Sequence, residues 1–169
     1  LLEGLGRVKP FMFLTVPLVI EKIFKSKVFP AIHKFPANML LKMPGLDRFV
    51  LNKIKTTLLT AFGNGFSTGL ILGGAALNRE VEDLLQRMKF PYVVGYGMTE
   101  CGPLISYCDK SEFAKYSCGK KADPLELRID SADPIKVLGE IQVKGDAVML
   151  GYYKNEEATA AAFTEEGWL

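Results

Sequence analysis

The sequence is poor in the residues from which most metal and redox centres are built. His33 is the only histidine among 169 residues. No aspartate, cysteine or second histidine accompanies it, so it reads as a surface or lightly buried ring rather than a ligand or base. Cys101, Cys108 and Cys118 are odd in number and spaced C-x6-C-x9-C, which favours neither a disulfide framework nor a zinc set. Free thiols in a reducing cytosol are the expectation, and Cys101, lacking a neighbouring base, has no visible claim to be a nucleophile. An excess of one charge is also missing. With 21 basic and 19 acidic residues the net charge is +2, which gives no reason to expect nucleic acid as the principal partner.

Long apolar runs are absent as well. Phe11 to Ile20 is too short to span a bilayer and is broken by Pro17, and Thr56 to Leu77, though uncharged, is rich in Gly, Thr, Ser and Asn; neither reads as a transmembrane helix. There is no initiator Met, signal peptide or transit-peptide composition at the start, so the chain is expected to be an internal piece of a longer one. What is present is a 49% hydrophobic, 24% charged composition, enough apolar material for a sizeable core and against disorder. A cytoplasmic location is expected, with peripheral membrane contact left open.

The stretch that organises the reading is Gly95-Tyr96-Gly97-Met98-Thr99-Glu100, which follows the apolar run Phe90-Pro91-Tyr92-Val93-Val94. A short strand entering a loop with two glycines brings backbone close to a flat or anionic ligand. Tyr96 offers a ring face for a purine, Thr99 a hydroxyl for a phosphate oxygen, and Glu100 a hard carboxylate suited to Mg²⁺. Together they suggest a nucleotide site. Taken singly, Tyr96 would be a core aromatic and Glu100 a solvated surface carboxylate.

Periodicity supplies the frame. Phe11 to Val16 suits a strand buried on both faces, ended by Pro17, and Leu18 to Val28 follows helical spacing. Asp47 is expected to cap a helix to about Ala61, with Phe49, Val50, Ile54 and Leu58 on one stripe and Gly63-Asn64-Gly65 closing it. Gly69 to Leu72 reads as a buried strand turned by Gly73-Gly74. Asn78 caps a crossover helix whose Val81, Leu84, Leu85 and Met88 face the core, with Glu80 and Glu82 in its favoured first turn. Tyr92 to Val94 then becomes the next parallel strand, so both glycine loops should emerge on one sheet edge, where ligands of parallel sheets bind. After Pro103 the pattern becomes β-rich in Leu125 to Asp130, Gly139 to Lys144 and Ala147 to Leu150, and Asn155 caps a helix from Glu156 to Phe163. The expected fold is therefore α/β: a parallel β-sheet with crossover helices over 1–110, a small antiparallel β subdomain over 111–154, and a helix with the start of a further segment over 155–169.

The motif Tyr96-Gly97-Met98-Thr99-Glu100 resembles the Y-G-x-T-E core of the adenylate-forming (AMP-binding) acyl-CoA synthetases. Gly73-Gly74-Ala75-Ala76-Leu77 is similar to that family's G-G-A-P-L segment, with Ala76 in place of proline, and Gly139 to Trp168 to its next block. Val16 to Phe24, reading V-P-L-V-I-E-K-I-F, is most similar to the long-chain fatty-acid branch. The resemblance implies a large amino-terminal domain in which Gly73, Gly74, Ala75, Gly95, Tyr96, Gly97 and Thr99 bind ATP. Tyr96 would stack on adenine, Gly74 and Ala75 would line the adenine and acyl pocket, Thr99 would contact the α-phosphate, and Glu100 would hold Mg²⁺. It also implies ATP, a fatty acid and coenzyme A as small-molecule substrates, with an acyl-adenylate formed first and a thioester second. Activation of an aryl or amino acid, and a non-catalytic scaffold that kept the fold, are the alternatives.

The same resemblance marks what these residues do not contain. The family's Gly/Ser/Thr-rich phosphate loop has no counterpart between Leu1 and Gly95, and its ribose-binding aspartate and the lysine of its carboxy-terminal lid lie outside this chain. Stabilising charge in a transition state is shared among several preorganised groups. The isolated 169 residues are therefore predicted to be inactive: ATP–pyrophosphate exchange with a fatty acid should not rise above a no-protein control.

Overall fold

The computed structural model describes residues 2–63 and 69–169. Its elements run α1 (Leu2–Val8), β1 (Met12–Thr15), α2 (Pro17–Ile23), a π-helical turn (Phe24–Val28), α3 (Phe29–His33), α4 (Ala37–Leu40) and α5 (Leu46–Ala61). They continue β2 (Gly69–Leu72), α6 (Arg79–Arg87), β3 (Tyr92–Val94), β4 (Tyr96–Gly97), a 3-10 turn (Thr99–Cys101), β5 (Leu104–Tyr107), β6 (Lys120–Lys121), β7 (Glu126–Asp130), β8 (Glu140–Lys144) and α7 (Glu156–Ala162). Among the described residues β1, β2 and β3 form a parallel sheet in that order, with Leu14 beside Ile71 and Ile71 beside Val93. Antiparallel sheets follow: β4-β5-β6 and β7-β8. This is the α/β architecture expected from the periodicity.

The central strand explains the core. Leu70 and Leu72 of β2 are fully buried, and they share one apolar cluster with Ile20, Phe24, Leu58, Val81, Leu85 and Tyr92. Each such side chain contributes roughly 1.5–3 kcal/mol by leaving water. Asn78 caps α6 as expected, its Oδ1 accepting from the Glu80 and Val81 N–H groups at 2.9 and 3.3 Å, and Val81, Leu84, Leu85 and Met88 are buried beneath it. Pro17 opens α2, and His33 is exposed, its ring stacked on Phe29. Asn155 caps α7 by accepting from Ala158 N–H at 3.0 Å.

Five expectations are corrected. β1 is not buried on both faces: among the described residues it pairs with β2 alone, and Phe13 packs inward against Phe62 while Leu14 stays 69% exposed. Asp47 is not the cap of α5 but lies in its first turn, reaching back from Oδ1 to accept from the N–H of the true cap, Gly45, at 3.1 Å. Phe49 faces away from the sheet, 69% exposed, and Leu51 takes the buried place on that stripe. Ala147 to Leu150 forms no strand; Met149 N–H instead donates to the Glu100 carbonyl at 2.7 Å, tying this segment to the Thr99–Cys101 turn. Antiparallel pairing also begins earlier than the change of pattern after Pro103, because Tyr96 and Gly97 already pair with Ser106 and Leu104. The helix-closing Asn64 and Gly65 lie outside the described residues.

A second, smaller cluster of Cys101, Ile105, Leu125 and Val143 fastens the antiparallel part, and Val143 exchanges backbone hydrogen bonds with Leu169 at 2.8 and 3.0 Å. Cys101, Cys108 and Cys118 are all free.

Candidate functional site

Parallel pairing puts the two glycine loops side by side. Gly73 N–H donates to the Thr15 carbonyl at 3.2 Å and Gly95 N–H to the Leu72 carbonyl at 2.8 Å, so each loop begins where the ladder of its strand ends. Gly74 then turns with φ +86°, a conformation that costs glycine little and other residues more. Gly97 is required by space instead. A Cβ there would lie 1.9 Å from the Pro103 carbonyl oxygen, so only glycine lets β4 approach β5 this closely.

The loops enclose a cavity of about 360 Å³ whose walls include Gly74, Ala75, Gly95, Tyr96 and Gly97. Gly73 sits behind this wall, its Cα facing the Gly95 carbonyl. Tyr96 is half-buried and also borders a second, larger cavity of about 610 Å³ with Met98, Gln142, Tyr152 and Trp168. Thr99 and Glu100 line neither cavity. Thr99 is exposed on the 3-10 turn, and Glu100, half-buried beside it, accepts a 2.9 Å hydrogen bond on Oε1 from the Tyr152 hydroxyl. That bond to a carboxylate, reinforced by burial and by the negative charge itself, raises the Tyr152 pKa.

The far wall of the first cavity was not legible in the sequence. It consists of Glu82 on α6 and of Tyr116 and Cys118 from the segment between β5 and β6. Glu82 is only 4% exposed, and one carboxylate oxygen, Oε1, accepts from the Tyr116 N–H at 2.8 Å and from the Tyr92 hydroxyl at 3.1 Å. Gln86 donates to the same hydroxyl at 3.0 Å. Burial, followed by the neighbouring carboxylates, raises the Tyr92 pKa and keeps the phenol protonated as a donor. Tyr116 holds φ +64°, strained for a bulky residue, and is clamped at both ends. Its N–H meets Glu82, its hydroxyl donates to Asp83, and Arg79 lies over its ring. Hydrogen bonds from Lys115 and Tyr116 lower the Asp83 pKa and keep that carboxylate charged. Burial first, and the Glu82 charge second, raise the Cys118 pKa, which makes the thiol a weak nucleophile. Burial likewise raises the pKa of Cys101.

The one available signal for Glu82 was its place between Val81 and Leu85 on the core-facing side of α6, where a carboxylate needs partners. Its reading as a first-turn residue captured the helix-dipole position but not the burial.

A family description of AMP-binding enzymes matches residues 1–153. The chain belongs to that family. It is 31% identical over 177 residues to a 4-coumarate–CoA ligase of Humulus lupulus, an alignment covering 90% of this chain and 29% of that protein. With a 4-coumarate–CoA ligase of Solanum tuberosum it shares 33% identity over 141 residues, covering 76% and 23%. Among solved structures, a malonyl-CoA ligase ternary product complex with methylmalonyl-CoA and AMP bound superposes with a TM-score of 0.67 at 25% identity, over 100% of this chain and 32% of the other. The adenylation domain of a carboxylate reductase from Mycobacterium chelonae, 23% identical with a TM-score of 0.68 over 99% of this chain and 25% of its own, shares the fold. This chain thus spans about a third or less of the length of these relatives. The 4-coumarate–CoA and malonyl-CoA ligases among these relatives support membership of the family and not specifically its long-chain branch.

The geometry of the first cavity suits a nucleotide base. Glycine backbone lines one side of the first cavity and an aromatic ring borders it, a combination suited to a flat base. Among the described residues no cluster of three potential metal ligands occurs. A lone carboxylate such as Glu100 suits Mg²⁺, which binds through one or two carboxylates and takes its remaining ligands from water and substrate phosphates.

Glu82 anchors one wall of this cavity, so Glu82→Ala takes the acceptor from the buried Tyr92 hydroxyl and the partly buried Tyr116 N–H and should cost about 1–3 kcal/mol for the buried group left unsatisfied. Urea unfolding measures this. A loss within about 0.5 kcal/mol, the range of an ordinary surface change, would show that the Tyr92 and Tyr116 bonds contribute nothing.

Proposed function

We propose that the full-length protein is an ATP-dependent acid–CoA ligase, in which this chain supplies the adenine wall and the metal carboxylate. The observation that carries the reading is the convergence of the Gly74-Ala75 and Gly95-Tyr96-Gly97 loops on one cavity. Tyr96 stacks on the purine, Gly74 and Gly95 allow backbone to approach it, and Thr99 donates its hydroxyl to the α-phosphate. Glu100 would hold Mg²⁺, which when bound would neutralise charge on the phosphates so that an anionic carboxylate oxygen can approach an anionic phosphorus. In the first half-reaction that oxygen bonds to the α-phosphorus, the bond to the bridging oxygen breaks, and pyrophosphate leaves. In the second, the coenzyme A sulfur attacks the acyl carbon, AMP leaves, and the thiol proton passes to solvent or a base.

For the acid, the reading is a long-chain fatty acid, supported by the Val16 to Phe24 similarity. An aryl acid is the second reading, favoured by the 31% and 33% identity to 4-coumarate–CoA ligases. A panel of acids on the full-length protein separates them. Each buried methylene contributes roughly 0.8 kcal/mol, so a long-chain enzyme shows kcat/KM climbing steeply with chain length, whereas preference for coumarate over any alkyl acid sinks the fatty-acid reading.

Glu100→Gln in the full-length protein keeps size and one acceptor oxygen for Tyr152 but removes the charge. The fold should persist, while the first half-reaction falls about 10²-fold or more, mainly in kcat, as when one preorganised electrostatic group is lost. An unchanged rate across a Mg²⁺ titration would mean that Glu100 is a surface carboxylate and no metal ligand.

A further inference from the structure

The near-neutral total conceals an uneven distribution of charge. The stretch from Pro17 to Ala61, α2 to α5, holds eight of the 21 basic residues and two of the 19 acidic ones, Glu21 and Asp47, leaving it at +6 and the rest of the chain at −4. Lys25, Lys27, Lys34, Lys42, Arg48 and Lys53 are exposed. None of them takes part in the ion pairs found among the described residues, which all lie from Asp83 onward.

Large apolar side chains are exposed between these cations. Phe35 is 76% and Phe49 69% exposed, and Met39, Met43 and Leu46 stand out around the same single turn, α4, which packs against α3 on one side and α5 on the other. At this place an apolar cavity of about 470 Å³ has Val28, Leu40 and Ile54 in its wall, and among the described residues the charged ones lining it are Lys27 and Lys53.

Interleaved cations and large apolar groups match one kind of partner better than others. A protein interface core is depleted of lysine. Nucleic acid would satisfy the cations through its phosphates but give Phe35, Met39, Met43 and Phe49 no apolar medium. An anionic bilayer satisfies both, with headgroup charge at the cations and the acyl boundary for the apolar side chains. We infer that the α3-α4-α5 face is a docking surface for an anionic lipid bilayer, with the apolar cavity between α4 and α5 open to an acyl chain from it. This assignment stands apart from the nucleotide cavity and does not depend on the proposed ligase reaction.

Vesicle flotation of the full-length protein tests it, with phosphatidylcholine vesicles made with and without phosphatidylserine. Binding is expected only when phosphatidylserine is present and should fade at high salt, where exposed charges are screened. The double variant Lys42→Glu, Arg48→Glu should weaken it about tenfold or more, and Phe35→Ser, Phe49→Ser should weaken it with the charge intact. Circular dichroism should show both variants folded, as expected for exposed positions. Equal binding to both vesicle types, no binding to either, unchanged binding by both variants, or capture by duplex DNA without vesicle binding would each overturn the inference. So would a dimer in solution that Phe49→Ser dissolves, since a second copy would then cover the face.

Discussion

The parallel pairing of β2 between β1 and β3 is the constraint on which the rest of the structure depends. It buries Leu70 and Leu72 completely, and it ends both β2 and β3 at the same edge. Where the ladder ends, the chain must turn, and the residues that turn it, Gly73-Gly74 and Gly95, are those that open a cavity. The site is therefore a consequence of strand register. A slip of one residue in β3 would move Tyr92 and Val94 to the opposite face of the sheet and carry Gly95 away from the Leu72 carbonyl that now holds it.

A buried carboxylate completes the other side. Glu82 sits on the core face of an amphipathic helix, where an unpaired charge would be costly. It is tolerated because Tyr92 from the sheet and Tyr116 from the β5-β6 segment both donate to it. One group thus links sheet, crossover helix and antiparallel part, and it holds Tyr116 in a backbone conformation the residue would not choose alone. The arrangement joins stability to shape: the interactions that satisfy Glu82 are those that set the width of the cavity.

The two ends of the glycine motif have different structural fates. Tyr96 and Gly97 leave the parallel sheet and join the antiparallel one, so the ring stands where two sheets meet and borders two cavities. Glu100, three residues further on, is turned by the 3-10 segment toward Tyr152. In the proposed reading this separates the ring that would face a purine from the carboxylate that would hold a metal, as an extended nucleotide with its phosphates directed away from the base requires.

Much of this was determined by the sequence alone. Local rules with short reach settle it: Pro17 opening α2, Asn78 and Asn155 capping their helices, the Val81, Leu84, Leu85 and Met88 stripe, and the glycines after two apolar strands. So does the ordered set of motifs that marks the family. What only the tertiary structure decided depends on partners distant in the chain. That β1 pairs with β2 alone among the described residues, leaving Leu14 69% exposed, follows from strand pairing and not from its apolar composition. That Glu82 is buried depends on Tyr116, 34 residues away, and that Glu100 meets Tyr152 depends on a contact 52 residues apart. Periodicity reports which way a side chain points from its own element. It carries no record of what the fold will bring to meet it.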